Sequence, residues 1–121
     1  MIKHLCPKGF SLISGDDTLT LPILSIGGVG IISVVANIIP KDVARVIEFW
    51  NHGKIKEAQD IHSKIFPLAK SMFVETNPIP IKHAMGLLGL CSSELRLPLC
   101  EMSEENLKKV KQALKAYGFL K

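Results

Sequence analysis

Two rhythms of apolar and polar residues divide this chain, and the change falls near position 53. Before it, short β-branched runs are separated by glycine clusters. Phe10-Ser-Leu-Ile-Ser14 reads as a strand closed by Gly15-Asp16-Asp17. Thr18 to Ile26 reads as a brief apolar helix or turn, with Pro22 acceptable only in its first turn. Gly27-Gly28-Val29-Gly30 makes a tight connection into Ile31-Ile32-Ser33-Val34-Val35, a second strand apolar at nearly every position. Such a run predicts burial on both faces. Pro40 opens the next helix, Val43, Val46, Ile47 and Trp50 recur at helical spacing, and Gly53 ends it. Strand, short helix, strand, helix is the rhythm of parallel α/β architecture.

After position 53 only helical periodicity remains. From Lys54 a long helix carries Ile55, Ala58, Ile61, Ile65, Leu68, Ala69 and Met72 on one side, with a kink expected at Pro67. Asn77-Pro78-Ile79-Pro80 interrupts it, and Pro80 to Leu88 makes a shorter helix closed by Gly89. Cys91 to Met102 reads as irregular and includes the extended Leu95-Arg-Leu-Pro-Leu99. Ser103 caps a last helix, with Glu104 and Glu105 favourable in its first turn. Its buried face is Leu107, Val110, Leu114 and Tyr117, before Gly118. The organisation is thus residues 1–53 as α/β and residues 54–121 as all helix. Two doubly buried strands cannot shield their own faces and edges. A closed (β/α) barrel needs eight strands and about 250 residues, so the pattern reads as the end of something larger.

Composition narrows the setting. The 121 residues are 47% hydrophobic and 21% charged, which supports a real core and argues against disorder. The formal net charge of +4 is too mild to call for nucleic acid or an anionic membrane. Cys6, Cys91 and Cys100 are too few and scattered for a disulfide framework, which points to a reducing, cytoplasmic setting. The opening MIKHLCPKGF lacks the continuous apolar core of a signal peptide. Leu21 to Pro40 is nearly apolar, yet its glycines and polar residues punctuate it too often for a membrane-spanning helix.

Several groups could carry chemistry. Ser14-Gly15-Asp16-Asp17 follows a strand, the favoured edge for active sites in parallel α/β proteins. Paired carboxylates can bind a cation or shift one another's pKa, but no third ligand is spaced nearby, and turn or cap duty is the preferred reading. Gly15 permits close approach of a ligand to the backbone. The Gly27–Gly30 cluster lacks the G-x-G-x-x-G order and precedes a strand, so it is not read as a phosphate loop. Asn37 is expected to bond its own turn. His4, His52, His62 and His83 show no zinc spacing, His62 reading as a packed or boundary residue, and the cysteines have no metal pattern or catalytic dyad. The lysines fall on helices, helix starts or solvated faces, and none reads as a Schiff-base residue.

The combination S-G-D-D-T-L-T-L-P, G-G-V-G-I-I-S-V-V-A-N-I-I-P, N-P-I-P-I-K and L-R-L-P-L, with E-x-x-x-x-V-x-x-A-L-K-x-x-G at the close, resembles the C-terminal part of the dihydrodipicolinate synthase / N-acetylneuraminate lyase family. The resemblance covers essentially the whole chain. It implies the last two strands, 10–14 and 31–35, of a (β/α)8 TIM barrel, the last barrel helix over 40–52, and a small all-helical domain. Members usually assemble as dimers of dimers. The family forms a Schiff base between a strand lysine and pyruvate and condenses it with aspartate semialdehyde in lysine biosynthesis. Two substrate-binding positions carry over: Gly15, beside bound pyruvate, and Ile32, whose backbone carbonyl lines the lysine end of the pocket. The family's catalytic lysine, tyrosine and threonine match no residue here, and Tyr117 reads as a packing residue. No catalytic residue, metal or cofactor is assigned. The chain is expected to be inactive alone and to meet pyruvate only when completed by an N-terminal barrel part. The alternatives are the C-terminal subunit of a two-chain enzyme and a non-catalytic interaction module, and the open strand edges point to self-association.

Overall fold

Proline, glycine and serine positions set where each element begins and stops. The computed structural model describes residues 2–121, with side chains from His4 onward. A four-residue helix, α1 (Ile2–Leu5), precedes β1 (Ile13–Ser14). A 3-10 turn (Asp17–Leu19) leads into α2 (Thr20–Ser25), with Pro22 in its first turn as the sequence requires. β2 (Gly30–Ile31) pairs with β1 in parallel, Ile13 opposite Gly30 and Ser14 opposite Ile31. A second 3-10 turn (Val35–Asn37) feeds α3 (Pro40–Asn51), which has proline in its first turn. Then follow α4 (Ile55–Ser71), α5 (Ile79–Leu87) and α6 (Glu104–Tyr117).

The strands are shorter than the sequence predicts. Extended pairing covers two residues in each, where 10–14 and 31–35 were expected. The apolar side chains meant for burial are open: Ile32 is 75% exposed, and Ile13 and Val29 are also exposed. A ladder needs neighbours, and among the described residues this sheet has two strands and two unpaired edges. Val35 leaves the strand altogether, because its amide and that of Val34 are captured by a side chain described below.

Helix ends are closed by backbone geometry rather than by side chains. Gly27 sits at φ 87° and donates to the Leu24 carbonyl at 2.9 Å, while Gly28 donates to Ile23 at 2.8 Å. This pair of bonds is the Schellman closure of α2, and it accounts for the glycine cluster without a phosphate. The same pairing closes α3 through Gly53 and Lys54, and α5 through Gly89 and Leu90. At the start of α6, the Ser103 hydroxyl accepts from the Asn106 amide at 3.4 Å. The Glu75 carboxylate reaches across to accept from the Ser103 amide at 3.0 Å, the Ser103 hydroxyl at 2.9 Å and Asn106 Nδ2 at 2.9 Å. The Asn106 bond is the main cause that holds the Glu75 carboxyl below its usual range.

The core lies among α3, α4, α5 and α6, and the second 3-10 turn enters it through Val35. On α4 the predicted stripe is buried at Ala58, Ile65, Leu68, Ala69 and Met72, partly buried at Ile61 and exposed at Ile55. Leu68 and Met72 meet Val110 and Leu114 of α6 in this cluster, with Val46 from α3. Side chains of this size contribute about 1.5–3 kcal/mol each when fully buried. Pro67 lies on the exposed side, and the helix runs through it without interruption.

A polar link joins the end of α6 to the start of α3. The Tyr117 hydroxyl donates to Asp42 Oδ2, Lys64 Nζ lies 3.5 Å from the same oxygen, and Arg45 Nη1 lies 3.8 Å from Oδ1. Lys64 also sits 4.5 Å over the Tyr117 ring. The Asp42 carboxyl lies below its ordinary value, first because of the Tyr117 hydrogen bond, which outweighs desolvation, then because of Lys64 and Arg45. Burial, and after it the Asp42 bond, push the Tyr117 hydroxyl up. Tyr117 is therefore a linking residue as well as a packed one.

Three substitutions have expected outcomes. An added Cβ at Gly28 would stand 2.5 Å from Ile23 Cγ2 and 2.7 Å from the Ile23 carbonyl oxygen, so Gly28→Ala should cost about 1–3 kcal/mol in urea unfolding. Gly15→Ala, whose Cβ meets nothing within 4 Å, should change stability by less than about 0.5 kcal/mol. A carboxyl lowered in the native state adds stability that is fully present above its unfolded value and is lost as pH falls through the native one. Tyr117→Phe should thus cost about 1 kcal/mol at neutral pH, and its gap from the parent in thermal unfolding should shrink as acid protonates Asp42.

Candidate functional site

The end of the two-stranded sheet is where the chemistry-bearing positions meet. Register alone brings two of them together. Ser14 stands opposite Ile31, so the next residues, Gly15 and Ile32, leave the sheet side by side at the same end. The last ladder bond runs from the Ile32 amide to the Ser14 carbonyl at 2.9 Å. The Ile32 carbonyl lies one step beyond it. Gly15 is exposed, and the space where a side chain would project is open within this chain. Both sequence-predicted positions therefore face the same open end, although neither is enclosed by this chain.

Asp16 and Asp17 diverge, as adjacent residues in a turn are free to do. Asp16 caps its own turn: Oδ1 accepts from the Thr18 amide at 2.7 Å and from the Thr18 hydroxyl at 2.7 Å. Asp17 turns inward and is 4% exposed. Its Oδ2 accepts from the amides of Val34 at 2.9 Å and Val35 at 3.3 Å, and its Oδ1 accepts from the Ser33 hydroxyl. Ser33 Oγ in turn accepts from the Ala36 amide at 2.9 Å. Turn duty is therefore what Asp16 performs, and Asp17 bridges to the second strand instead. What the sequence does not reveal is the reach of Asp17, because its partners lie 16 to 18 residues away and no local motif links them.

The remaining candidates stay apart. Asn37 Nδ2 donates to the Val34 carbonyl at 2.9 Å, its own turn, as expected. His62 is half-buried and lines a cavity of about 10 Å³ with Asp17, Thr20, Val43, Val46 and Ile65, too small for any metabolite. Its Nε2 is buried and finds no hydrogen-bond partner among the described residues. Among the described residues, no three His, Cys, Asp or Glu side chains cluster as a metal site would need. From Lys8 onward every lysine is exposed except the half-buried Lys82. Among the described residues, no helix is long and apolar enough to cross a membrane.

What flanks the two strands is apolar and uncovered. Phe10, Ile13, Leu19, Ile26, Val29 and Ile32 are all exposed: Ile13 on β1, Leu19 in the first 3-10 turn, and the others in the segments that flank the strands and α2. Interiors are packed to near crystal density, and scattered single apolar residues on a surface are ordinary. Six in the neighbourhood of two strands with open edges are the mark of a surface that other strands cover.

Comparison with known proteins agrees with that mark. The model of the dihydrodipicolinate synthetase family matches residues 1–117. The 4-hydroxy-tetrahydrodipicolinate synthase of Endomicrobium trichonymphae is 56% identical over 120 residues, which are 99% of this chain and 41% of that protein. Its counterpart in Methanocaldococcus jannaschii is 51% identical over 110 residues, 91% of this chain and 38% of that protein. The crystal structure of dihydrodipicolinate synthase from Aquifex aeolicus superposes with a TM-score of 0.93 at 44% identity, over 98% of this chain and 40% of that one. This chain thus spans about two fifths of the length of the relatives it matches. Its fold is a portion of a TIM barrel, two parallel strands with their helices, together with a helical domain. On motif, fold and extent of match, the chain belongs to the dihydrodipicolinate synthetase family.

Proposed function

We propose that this chain supplies the closing wall of a pyruvate-binding lyase site, completed by the six earlier strands of the barrel. The observation that carries the reading is the pairing of Gly15 and Ile32 at one open sheet end, fixed by the ladder bond from the Ile32 amide to Ser14. Gly15 leaves room for a small keto acid against the backbone, and the Ile32 carbonyl offers an acceptor for a proton-bearing group at the reacting centre. Residues 1–53 act as the last two barrel units and 54–121 as the helical domain that braces them.

In this reading the chemistry begins with a lysine on an earlier strand. Its amine adds to the ketone carbon of pyruvate and water leaves, giving an imine. The imine's methyl carbon, once deprotonated, attacks the aldehyde of aspartate semialdehyde. The residues described here bind, orient and exclude water, and the proton and bond changes belong to groups outside them. That the relatives are 4-hydroxy-tetrahydrodipicolinate synthases favours that second substrate.

Borohydride trapping tests the proposal, since hydride reduces the imine to a stable secondary amine. A polypeptide carrying the six earlier strands is combined with this chain and pyruvate. The expected adduct sits on a lysine of the added polypeptide, and Gly15→Val cuts its yield at least about tenfold while the stability of this chain is nearly unchanged. An adduct on a lysine of this chain, or full yield from Gly15→Val, would overturn the proposal.

A further inference from the structure

We propose that Asp17 is the positioning residue of this site: its carboxylate sets where the Ile32 carbonyl and the Gly15 backbone stand, and it transfers no proton itself. The inference rests on the reading of Gly15 and Ile32 just given, and it concerns a residue that touches neither pyruvate nor the reacting lysine.

The geometry on the Ile32 side is a two-point grip. The Ile32 amide is held by the Ser14 carbonyl at 2.9 Å. Immediately after Ile32, the hydroxyl of Ser33 and the amides of Val34 and Val35 all end on Asp17. The Ile32–Ser33 peptide, which contains the Ile32 carbonyl, is therefore anchored on both flanks. Shifting the residues that carry that carbonyl would strain a ladder bond or a charge-assisted bond to a buried carboxylate.

The Gly15 side is held by the same residue. Asp17 follows Gly15 by two positions, and its own backbone carbonyl accepts from the Thr20 hydroxyl at 2.9 Å. Ser14 Oγ donates to the Asp16 carbonyl at 2.8 Å, tightening the turn that contains Gly15. Asp17 thus ties the exit of β1 to the exit of β2 across the open end of the sheet. Its burial at 4% exposure and its three donors leave it poorly placed to exchange a proton with a substrate. Small displacements of a reacting pocket are costly, about a hundredfold for a misplacement near 1 Å.

Asp17→Ala and Asp17→Asn separate positioning from proton transfer. Asparagine keeps an acceptor oxygen for the Val34 and Val35 amides, and its amide can donate to Ser33 Oγ. In the assembly with the six earlier strands, Asp17→Ala is expected to slow borohydride-trapped adduct formation about tenfold or more, and Asp17→Asn to recover most of that loss. Val110→Ala, a core change on α6 far from the sheet end in sequence, serves as the control for lost stability and should leave the trapping rate unchanged. Asn as slow as Ala, Ala as fast as the parent, or Val110→Ala as slow as Asp17→Ala would overturn the proposal.

A second measurement needs no assembly. In NMR spectra of this chain, the Ile32 carbonyl carbon and the Gly15 amide should shift in Asp17→Ala, return near the parent positions in Asp17→Asn and stay put in Val110→Ala. Unmoved Ile32 and Gly15 resonances in Asp17→Ala would overturn the positioning role. If Asp17→Ala does not fold, Ser33→Ala removes one of the three donors and takes its place under the same criterion. A parent assembly that traps no pyruvate, with these shifts present, would instead sink the lyase reading and leave the clamp standing.

Discussion

A single buried carboxylate ties the exit of the first strand to the exit of the second. Asp17 receives one hydroxyl and two amides from residues 33–35. Taking a carboxylate out of water is expensive, and it is tolerated where several donors converge on it. Those donors also decide the path of the chain. Once Val34 and Val35 give their amides to Asp17, they cannot extend the β2 ladder, so the strand stops and a 3-10 turn begins. That turn places Val35, Ile38 and Ile39 in the helical core and Pro40 at the head of α3. The position of the core relative to the sheet end follows from this clamp.

The rest of the fold divides into a satisfied half and an open half. Around α3, α4, α5 and α6 the apolar stripes meet one another, and Leu68, Met72, Val110 and Leu114 are sealed. Glu75 on α6 and Asp42 on Tyr117 add polar links at the two ends of α6. Around the sheet the balance reverses, with Ile13, Val29 and Ile32 exposed and both strand edges unpaired among the described residues. The hydrophobic effect is not satisfied there by this chain's own residues. A barrel supplies strands on both sides of each strand, which is the environment that this sequence pattern fits.

How much of this was legible in the sequence depends on the range of each interaction. Local signals were reliable: Pro40, Gly53, Gly89, Ser103 and Gly118 stand where helices begin or stop. The stripe on α4 and the face of α6 followed from a period of 3.6 residues. Gly27 and Gly28 of the glycine cluster serve the Schellman closure of α2, and Gly28 also approaches Ile23 closely. Strand length was misjudged, because a run of apolar residues reports the need for cover and not whether that cover is present. Asp17 was visible as a turn residue, but its clamp on Ser33, Val34 and Val35 is a tertiary fact with no local trace. The Tyr117–Asp42 bond, 75 residues apart, was invisible for the same reason.

The pairing of Gly15 and Ile32 shows what a portion of a barrel can specify by itself. Two adjacent parallel strands need only their own register to set one strand end beside the next. Barrel closure then fixes how that pair faces the strands on the far side, but it does not create the pair. Here the register bond at Ser14 and the clamp at Asp17 are both internal to residues 13–35. In the proposed reading, binding geometry and bond-making chemistry are separable along the sequence: these two strand ends carry the shape of one wall, and strands elsewhere in the barrel carry the nucleophile. An active site distributed this way tolerates change in the wall only where the register and the clamp survive.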